Sequence, residues 1–163
     1  MQSQFNRFSQ HAGWSAVFER LKALIFSGKG APVVLCGPRG CGKTEMCCEL
    51  IREVLRRQWW ATYIELSVYL KDVCVRYPDW EVIEETFEHP KLLVIDECAK
   101  VADTPWQQRS FSDIVLHRYK AIKPTVLVCS VRPDDLPDFL GSSISDRIND
   151  GGAVLNCAWE SFR

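Results

Sequence analysis

Short unbroken apolar runs alternate along this chain with longer stretches in which apolar residues recur every three or four positions. Residues 12–27 put Trp14, Val17, Phe18, Leu21, Leu24 and Ile25 on one helical stripe, and Gly28 and Gly30 end it. PVVLC (32–36) is continuous, apolar and rich in β-branched residues, as a strand covered on both faces must be. A glycine-rich turn follows. The next helix is expected over 43–57, with Met46, Cys47, Leu50, Ile51, Val54 and Leu55 as its buried face. ATYIEL (61–66) and KLLVID (91–96) read as the second and third strands, the third being the most apolar. Between them, residues 67–77 and 79–89 read as two short helices broken at Pro78. Residues 105–120 predict a helix carrying Trp106, Phe111, Ile114, Val115 and Tyr119. TVLVCS (125–130) is a fourth strand, 133–149 hold two helical pieces split at Gly141, and GAVLNC (152–157) is a fifth strand.

Strands that alternate with helices define an α/β fold, with a parallel sheet and helices on both faces. The length of 163 residues fits one domain, and no repeat, low-complexity tract or linker interrupts it. Hydrophobic residues at 47% and charged residues at 25% are an ordinary globular balance. Twenty basic residues against twenty-one acidic ones leave a net charge of −1. The chain as a whole is therefore no electrostatic binder of nucleic acid or of anionic membrane. No run approaches the roughly 20 apolar residues of a membrane span, and MQSQFNRFSQ lacks a signal-peptide core, so a soluble, unexported protein is expected. The eight cysteines form no CxxC pair and match no histidine at zinc-finger spacing. Several end apolar runs, which reads as reduced, buried thiols.

Candidate chemistry begins at Gly37-Pro38-Arg39-Gly40-Cys41-Gly42-Lys43-Thr44. This is G-x-x-x-x-G-K-T in full, after an apolar strand and opening a helix, the context that gives the motif its meaning. Glycines let the backbone wrap a polyphosphate with its amides inward, and the helix N-terminus adds partial positive charge. Lys43 is expected on the β- and γ-phosphates, the Thr44 hydroxyl on Mg²⁺, and Glu45 beside them in the first helical turn. The third strand ends in Asp96 and Glu97. Ligands of such sheets sit beyond the carboxyl ends of the strands. Asp96 is therefore expected in the metal shell with Thr44, and Glu97 beside the γ-phosphate, orienting a water. ATP and Mg²⁺ are the implied cofactors.

Together with GPRGCGKT and LLVIDE, the stretches PTVLVCSVRPDDLPDFLG, SISDRINDGG and the terminal AWESFR resemble AAA+ ATPases of the DnaC/IstB type, the bacterial and phage helicase loaders and transposition helper ATPases. The resemblance covers about residues 5–163. It implies a three-layer αβα P-loop NTPase fold with strand order 5-1-4-3-2, and one AAA+ core domain over 1–163 in which residues 1–30 form an N-terminal strip and helix packed on the core. A ring or filament of subunits is implied as well. Ser130 falls at the polar sensor position, where the family usually has asparagine. Arg147 falls at the arginine finger that acts on ATP held by a neighbouring subunit, and Phe8 lies in the strip that flanks adenine in related ATPases. Residues 67–90 match an insertion that the loader branch places near DNA, but Asp72, Asp79, Glu81, Glu84, Glu85 and Glu88 make it a poor phosphate track. With the chain ending soon after the fifth strand, no C-terminal lid is expected, and no separate partner-binding domain.

Arg52, Arg56 and Arg57 followed by Trp59 and Trp60 admit two readings: a surface for single-stranded DNA, or cations placed at a helix C-terminus. Trp106 and Trp159 are read as core residues or interface anchors. His11, His89 and His117 match no metal or triad pattern. The leading expectation is a cytoplasmic, Mg-dependent ATPase subunit of a bacterial or phage system, which self-associates and remodels or loads a replicative helicase or another nucleoprotein. The alternatives are a non-hydrolysing, nucleotide-gated binding module, prompted by Ser130, and a transposition helper ATPase. A small-molecule kinase would need a mobile arginine-rich lid, and no stretch supplies one.

Overall fold

The computed structural model describes residues 8–70, 86–98 and 104–162. Helix α1 (Ala12–Phe26) leads into β1 (Val33–Cys36), α2 (Lys43–Arg56) and β2 (Ala61–Glu65). Then come β3 (Leu92–Asp96), α3 (Pro105–Lys120), β4 (Thr125–Cys129), a 3₁₀ turn (Pro133–Asp135), α4 (Leu136–Asn149) and β5 (Ala153–Asn156). The strands form a five-stranded sheet in the order β2-β3-β4-β1-β5, and every pairing is parallel. This is the expected 5-1-4-3-2 order read from the other edge.

Strand alternation divides the core into two layers. Val34, Cys36, Leu93, Ile95, Leu127 and Cys129 face one side, where Phe111 and Val115 of α3 and Leu140, Ile144 and Ile148 of α4 cover them. Val33, Leu35, Leu92, Val94, Val126 and Val128 face the other, under Trp14, Phe18, Leu21 and Ile25 of α1 and Met46, Leu50 and Val54 of α2. Because β1, β3 and β4 are covered on both faces, all their residues are buried, and no polar alternation appears in their sequence. Helices on both faces of this sheet make the expected three-layer αβα architecture.

Local chemistry sets the element ends. His11 caps α1, its Nδ1 accepting from Trp14 N at 3.2 Å, and Thr104 caps α3 by accepting from Gln107 N at 3.2 Å, with proline at the first helical position. The split expected in 133–149 falls at Gly141, whose φ of 76° and ψ of 165° interrupt α4. Strands begin or end a residue inside their apolar runs, because pairing stops before the hydrophobicity does. Residues 66–70 and 86–87 are helical, while the expected break at Pro78 lies outside the described residues.

Two expected core positions are exposed. Leu55 lies about 100° around α2 from Val54, off the buried stripe, and is 53% exposed. Trp106, in the first turn of α3, is 50% exposed, so it is no core residue. Among the described residues every cysteine is a free thiol, and all but Cys48 are buried. Cys74 lies outside them.

A buried cation ties the sheet's entry loops to α3. Arg118 is almost fully buried. It donates to Thr125 Oγ1 at 2.9 Å, Pro90 O at 3.1 Å, Lys91 O at 3.2 Å, Pro124 O at 2.9 Å and also Phe87 O. Its partners are carbonyls and a hydroxyl, so burial draws its pKa down to about 10 and it stays charged at neutral pH. Arg118→Leu strands these acceptors. We expect a loss of ~3 kcal/mol or more in denaturant-induced unfolding, with Arg118→Lys intermediate because it offers fewer donors. A loss for Arg118→Leu below ~1 kcal/mol would show that the clamp contributes little.

Candidate functional site

The turn between β1 and α2 runs over residues 37–42, and its carbonyls are taken up one after another. Lys43 Nζ donates to Gly37 O and Pro38 O, both at 2.8 Å. Phe162 N donates to Gly40 O at 3.0 Å. Trp159 Nε1 donates to Cys41 O at 3.0 Å and Trp14 Nε1 to Gly42 O at 3.2 Å. A trans peptide sets each N–H opposite the preceding C=O. Engaging the carbonyls of Gly40, Cys41 and Gly42 from outside therefore turns the amides of Cys41, Gly42 and Lys43 to the concave side, the arrangement that takes an anion. The turn is also pinned at its start, where Gly37 N donates to Val131 O at 3.0 Å.

Two glycines are required by contact as well as by φ. A Cβ on Gly37 (φ 136°) would stand 2.6 Å from Cys157 O, and one on Gly42 (φ 82°) would stand 2.9 Å from the Phe8 ring. Gly42 starts α2 without any side-chain cap, so the helix N-terminus opens directly onto the turn. Pro38 and Arg39 are exposed on the rim, and Glu45 lies half-buried in the first turn of α2.

The acid pair meets the turn at the carboxyl end of β3. Thr44 Oγ1 donates to Asp96 Oδ2 at 2.9 Å, and Tyr63 OH donates to the same oxygen at 2.6 Å. Asp96 Oδ1 accepts from Glu97 N at 2.7 Å. Asp96 is buried. Glu97 adopts the left-handed conformation at φ 57°, uncommon for a residue with a side chain, and is half-buried. Burial, then the Asp96 hydrogen bond, push the Tyr63 phenol well above its ordinary range, so Tyr63 is a fixed donor to Asp96.

Ser130 follows Cys129, which pairs with Cys36, and so lies level with the start of the turn, half-buried. Arg147 does not join this group. It stands in the last turn of α4, its guanidinium 5.3 Å from the centre of the Tyr119 ring, while the Tyr119 hydroxyl donates to Asp150. Gly152, just beyond α4, abuts Pro32 O at the start of β1. Arg147 is therefore at the opposite end of the strands from Gly37, across roughly 13 Å of β1 at 3.3 Å per residue.

The oxygen set fits a magnesium ion. A buried carboxylate and a threonine hydroxyl already share a hydrogen bond at the edge of the turn. Magnesium favours one or two such oxygens completed by phosphate and water over an all-protein cage. Among the described residues no group of three or more His, Cys, Asp or Glu side chains could hold a metal.

The arginine cluster beside the tryptophans is largely self-satisfied. Arg52 pairs with Glu49, Arg56 with Glu53 at 2.6 Å, and Arg57 lies 3.6 Å over the Phe26 ring. Trp59 packs on Phe26, while Trp60 is exposed beside His89. Glutamates within the helix and the Phe26 ring account for these three cations. His11 acts as a cap, and His117 pairs with Glu88 at 2.9 Å.

Sequence reasoning missed Tyr63 as a partner of Asp96, and missed Trp14, Trp159 and Phe162 as supports of the turn. Their partners lie 28 to 118 residues away for the side-chain bonds. The only local signal was an excess of aromatics at the two ends of the chain. Phe8 was expected near a ligand and does lie beside the turn, against Trp14 and Phe162.

Comparison with known proteins agrees with this geometry. No protein-family model matches the chain. A Mycobacterium tuberculosis protein named as an ATP-binding protein in an insertion sequence is 26% identical over 122 residues, which cover 74% of this chain and 49% of that protein. The chain thus spans about half the length of the curated relative it matches. Domain III of the Thermotoga maritima replication initiation protein DnaA superposes with a TM-score of 0.76 at 20% identity, covering 93% of this chain and 65% of that one. The DnaC helicase loader gives 0.75 at 17% identity, covering 90% and 91%. DnaA bound to AMPPCP and single-stranded DNA gives 0.71 at 21% identity, covering 90% and 46%. The fold is the P-loop αβα fold of these AAA+ domains. The resemblance to the DnaC/IstB type holds in structure for the helicase loader and in sequence for the insertion-sequence protein.

Trp159→Phe keeps a ring on His11 and removes the donor to Cys41 O. We expect a stability loss of ~1 kcal/mol and faster amide hydrogen exchange across residues 40–43. Unchanged exchange there would mean that the indole does not hold the turn.

Proposed function

We propose that the chain is a Mg-dependent ATPase subunit that self-associates and acts on a replicative helicase or a related nucleoprotein assembly, in the cytoplasm of a bacterial or phage-infected cell. The observation that carries this reading is the Thr44–Asp96 hydrogen bond at 2.9 Å. It joins a complete phosphate loop to an acidic strand end, the minimum set for holding a metal-bound triphosphate. The names of the similar proteins support the same direction: a helicase loader, a replication initiator seen with AMPPCP and single-stranded DNA, and an ATP-binding protein.

In this reading Lys43 exchanges the carbonyls of Gly37 and Pro38 for the β- and γ-phosphates, and the amides of residues 39–44 take the remaining phosphate oxygens. Thr44 and Asp96 hold Mg²⁺, which supplies neutralising charge at the phosphate oxygens. Glu97 orients water and accepts its proton, and Ser130 bonds the water or the γ-phosphate. Arg147 lies at the far end of the strands from its own loop, so its charge serves the nucleotide of an adjoining subunit. There it stabilises the transferring phosphoryl group. The insertion-sequence relative favours a second reading, in which the same ATPase assists a transposase.

Lys43→Ala should abolish ATP binding measured by calorimetry, since it removes the cation from the phosphates. Glu97→Gln should bind ATP with near wild-type affinity and lose turnover by about 10²–10⁴. If Glu97→Gln turns over like the wild type under every condition, including added helicase and single-stranded DNA, the chain is a nucleotide-gated binding module instead. Arg147→Ala should keep ATP binding and lose the part of turnover that rises with protein concentration, by up to about 10³–10⁵. Undiminished turnover at high concentration would remove Arg147 from the catalytic set.

A further inference from the structure

Three buried cysteines surround the root of the phosphate loop: Cys36 at the end of β1, Cys41 within the turn and Cys157 just after β5. Cys157 is tied to the loop through its backbone, its N–H donating to Cys36 O at 2.7 Å. Its Cβ lies 3.2 Å from where a Cβ on Gly37 would be. Lys43 Nζ, already bound to two loop carbonyls, also reaches Cys41 Sγ at 3.6 Å. The Cys41 thiol is drawn down to about 6, first by a hydrogen bond from the Cys157 thiol and then, against the effect of burial, by the Lys43 charge. Cys157 shifts the other way, pushed up by that same hydrogen bond and by burial. Lys43 thus favours the thiolate at Cys41, while Cys157 is held toward its protonated form.

We propose that Cys41 and Cys157 form a reversible disulfide that closes the phosphate loop to nucleotide. The oxidant is a peroxide. The Cys41 thiolate attacks one peroxide oxygen and the O–O bond breaks. The departing hydroxide takes up a proton and leaves as water, and Cys41 becomes a sulfenic acid. The Cys157 sulfur then attacks the Cys41 sulfur and the S–O bond breaks. The leaving hydroxide takes the Cys157 thiol proton and departs as a second water. Two electrons pass from the two thiols to the peroxide.

Access comes from the segment that covers the pair. Residues 158–162 are held to the loop by the Trp159 indole and the Phe162 amide and by ring contacts with His11 and Phe8. A short irregular segment held by so few contacts opens locally at far less cost than the fold. Closure of the loop follows from bond length. Disulfide sulfurs stand roughly 2 Å apart, closer than hydrogen-bonded thiols, so the bond draws Cys41 toward β5 and carries the Cys41 and Gly42 amides with it. Cys98 and Cys129 are also in thiol contact. Burial pushes Cys98 up, so that pair is the internal control.

The closing of the loop rests on the nucleotide reading above, whereas the disulfide itself does not. The test treats the full chain with hydrogen peroxide, maps its peptides under non-reducing conditions, and measures ATP affinity before treatment, after it, and after dithiothreitol. We expect one bond joining Cys41 to Cys157, a fall in affinity of at least about tenfold, and full recovery on reduction. Cys157→Ala, which keeps the Cβ against the loop, should retain its affinity through the same treatment. The proposal is overturned if both cysteines remain unlinked, if the bond forms at Cys98 and Cys129 instead, or if Cys41 and Cys157 join while affinity is unchanged. If the reduced chain binds no ATP, the nucleotide reading fails, and the peptide map still decides the disulfide. The map and its reversal use the wild-type chain, so they stand even where the variant does not fold.

Discussion

A turn that offers its amides to a polyanion must first place its carbonyls somewhere else. In this chain that requirement reaches far beyond the turn. The first helix contributes the Trp14 indole, the residues after β5 contribute the Trp159 indole and the Phe162 amide, and Lys43 folds back onto the first two carbonyls. Each donor is carried by an element that has its own reason to be there. Trp14 is a core residue of the layer under α1, and the terminal segment continues the strand that flanks β1. The site is thus a by-product of closing the sheet's ends, and stability and binding geometry are hard to alter separately.

The opposite edge shows the same economy with a different residue. Where β3 and β4 begin, the carbonyls of Phe87, Pro90, Lys91 and Pro124 converge, and a single guanidinium takes them up. Water does this at an exposed edge; here the guanidinium itself is buried, and a cation without a carboxylate is tolerated because its donors find oxygens. The two ends of the sheet therefore resolve one problem, orphaned backbone oxygens, by indoles at one end and an arginine at the other.

The fold was readable wherever burial is two-sided. β1, β3 and β4 announce themselves as unbroken apolar runs because neither face meets water, and the order of the strands followed from a resemblance carried by their flanking motifs. The meeting of the 37–44 turn with Asp96 was legible because the motif and the strand-end acid come at a recognisable spacing, and the Thr44–Asp96 hydrogen bond joins them. Tyr63 was not, since nothing in ATYIEL distinguishes a tyrosine that packs from one that donates to a carboxylate on the next strand. Leu55 and Trp106 misled because an apolar side chain is not by itself a buried one: Leu55 lies beside the buried Val54 but off the stripe, and Trp106 stands exposed in the first turn of α3. The arginines of α2 show the converse. Their grouping suggested a ligand, and intrahelical partners three residues back neutralise two of them.

Lys43 gives the loop a further property. With its ammonium already seated on Gly37 O and Pro38 O, the cradle carries an internal occupant. Arrival of a phosphate is then a substitution, like the exchange of a ligand at a coordination centre, and only the difference between two sets of oxygens contributes to affinity. Such a site resists stray monovalent anions, which present too few oxygens to displace two carbonyls held by the same chain. It also keeps its shape when no anion is bound, because the cradle is filled from within instead of by solvent.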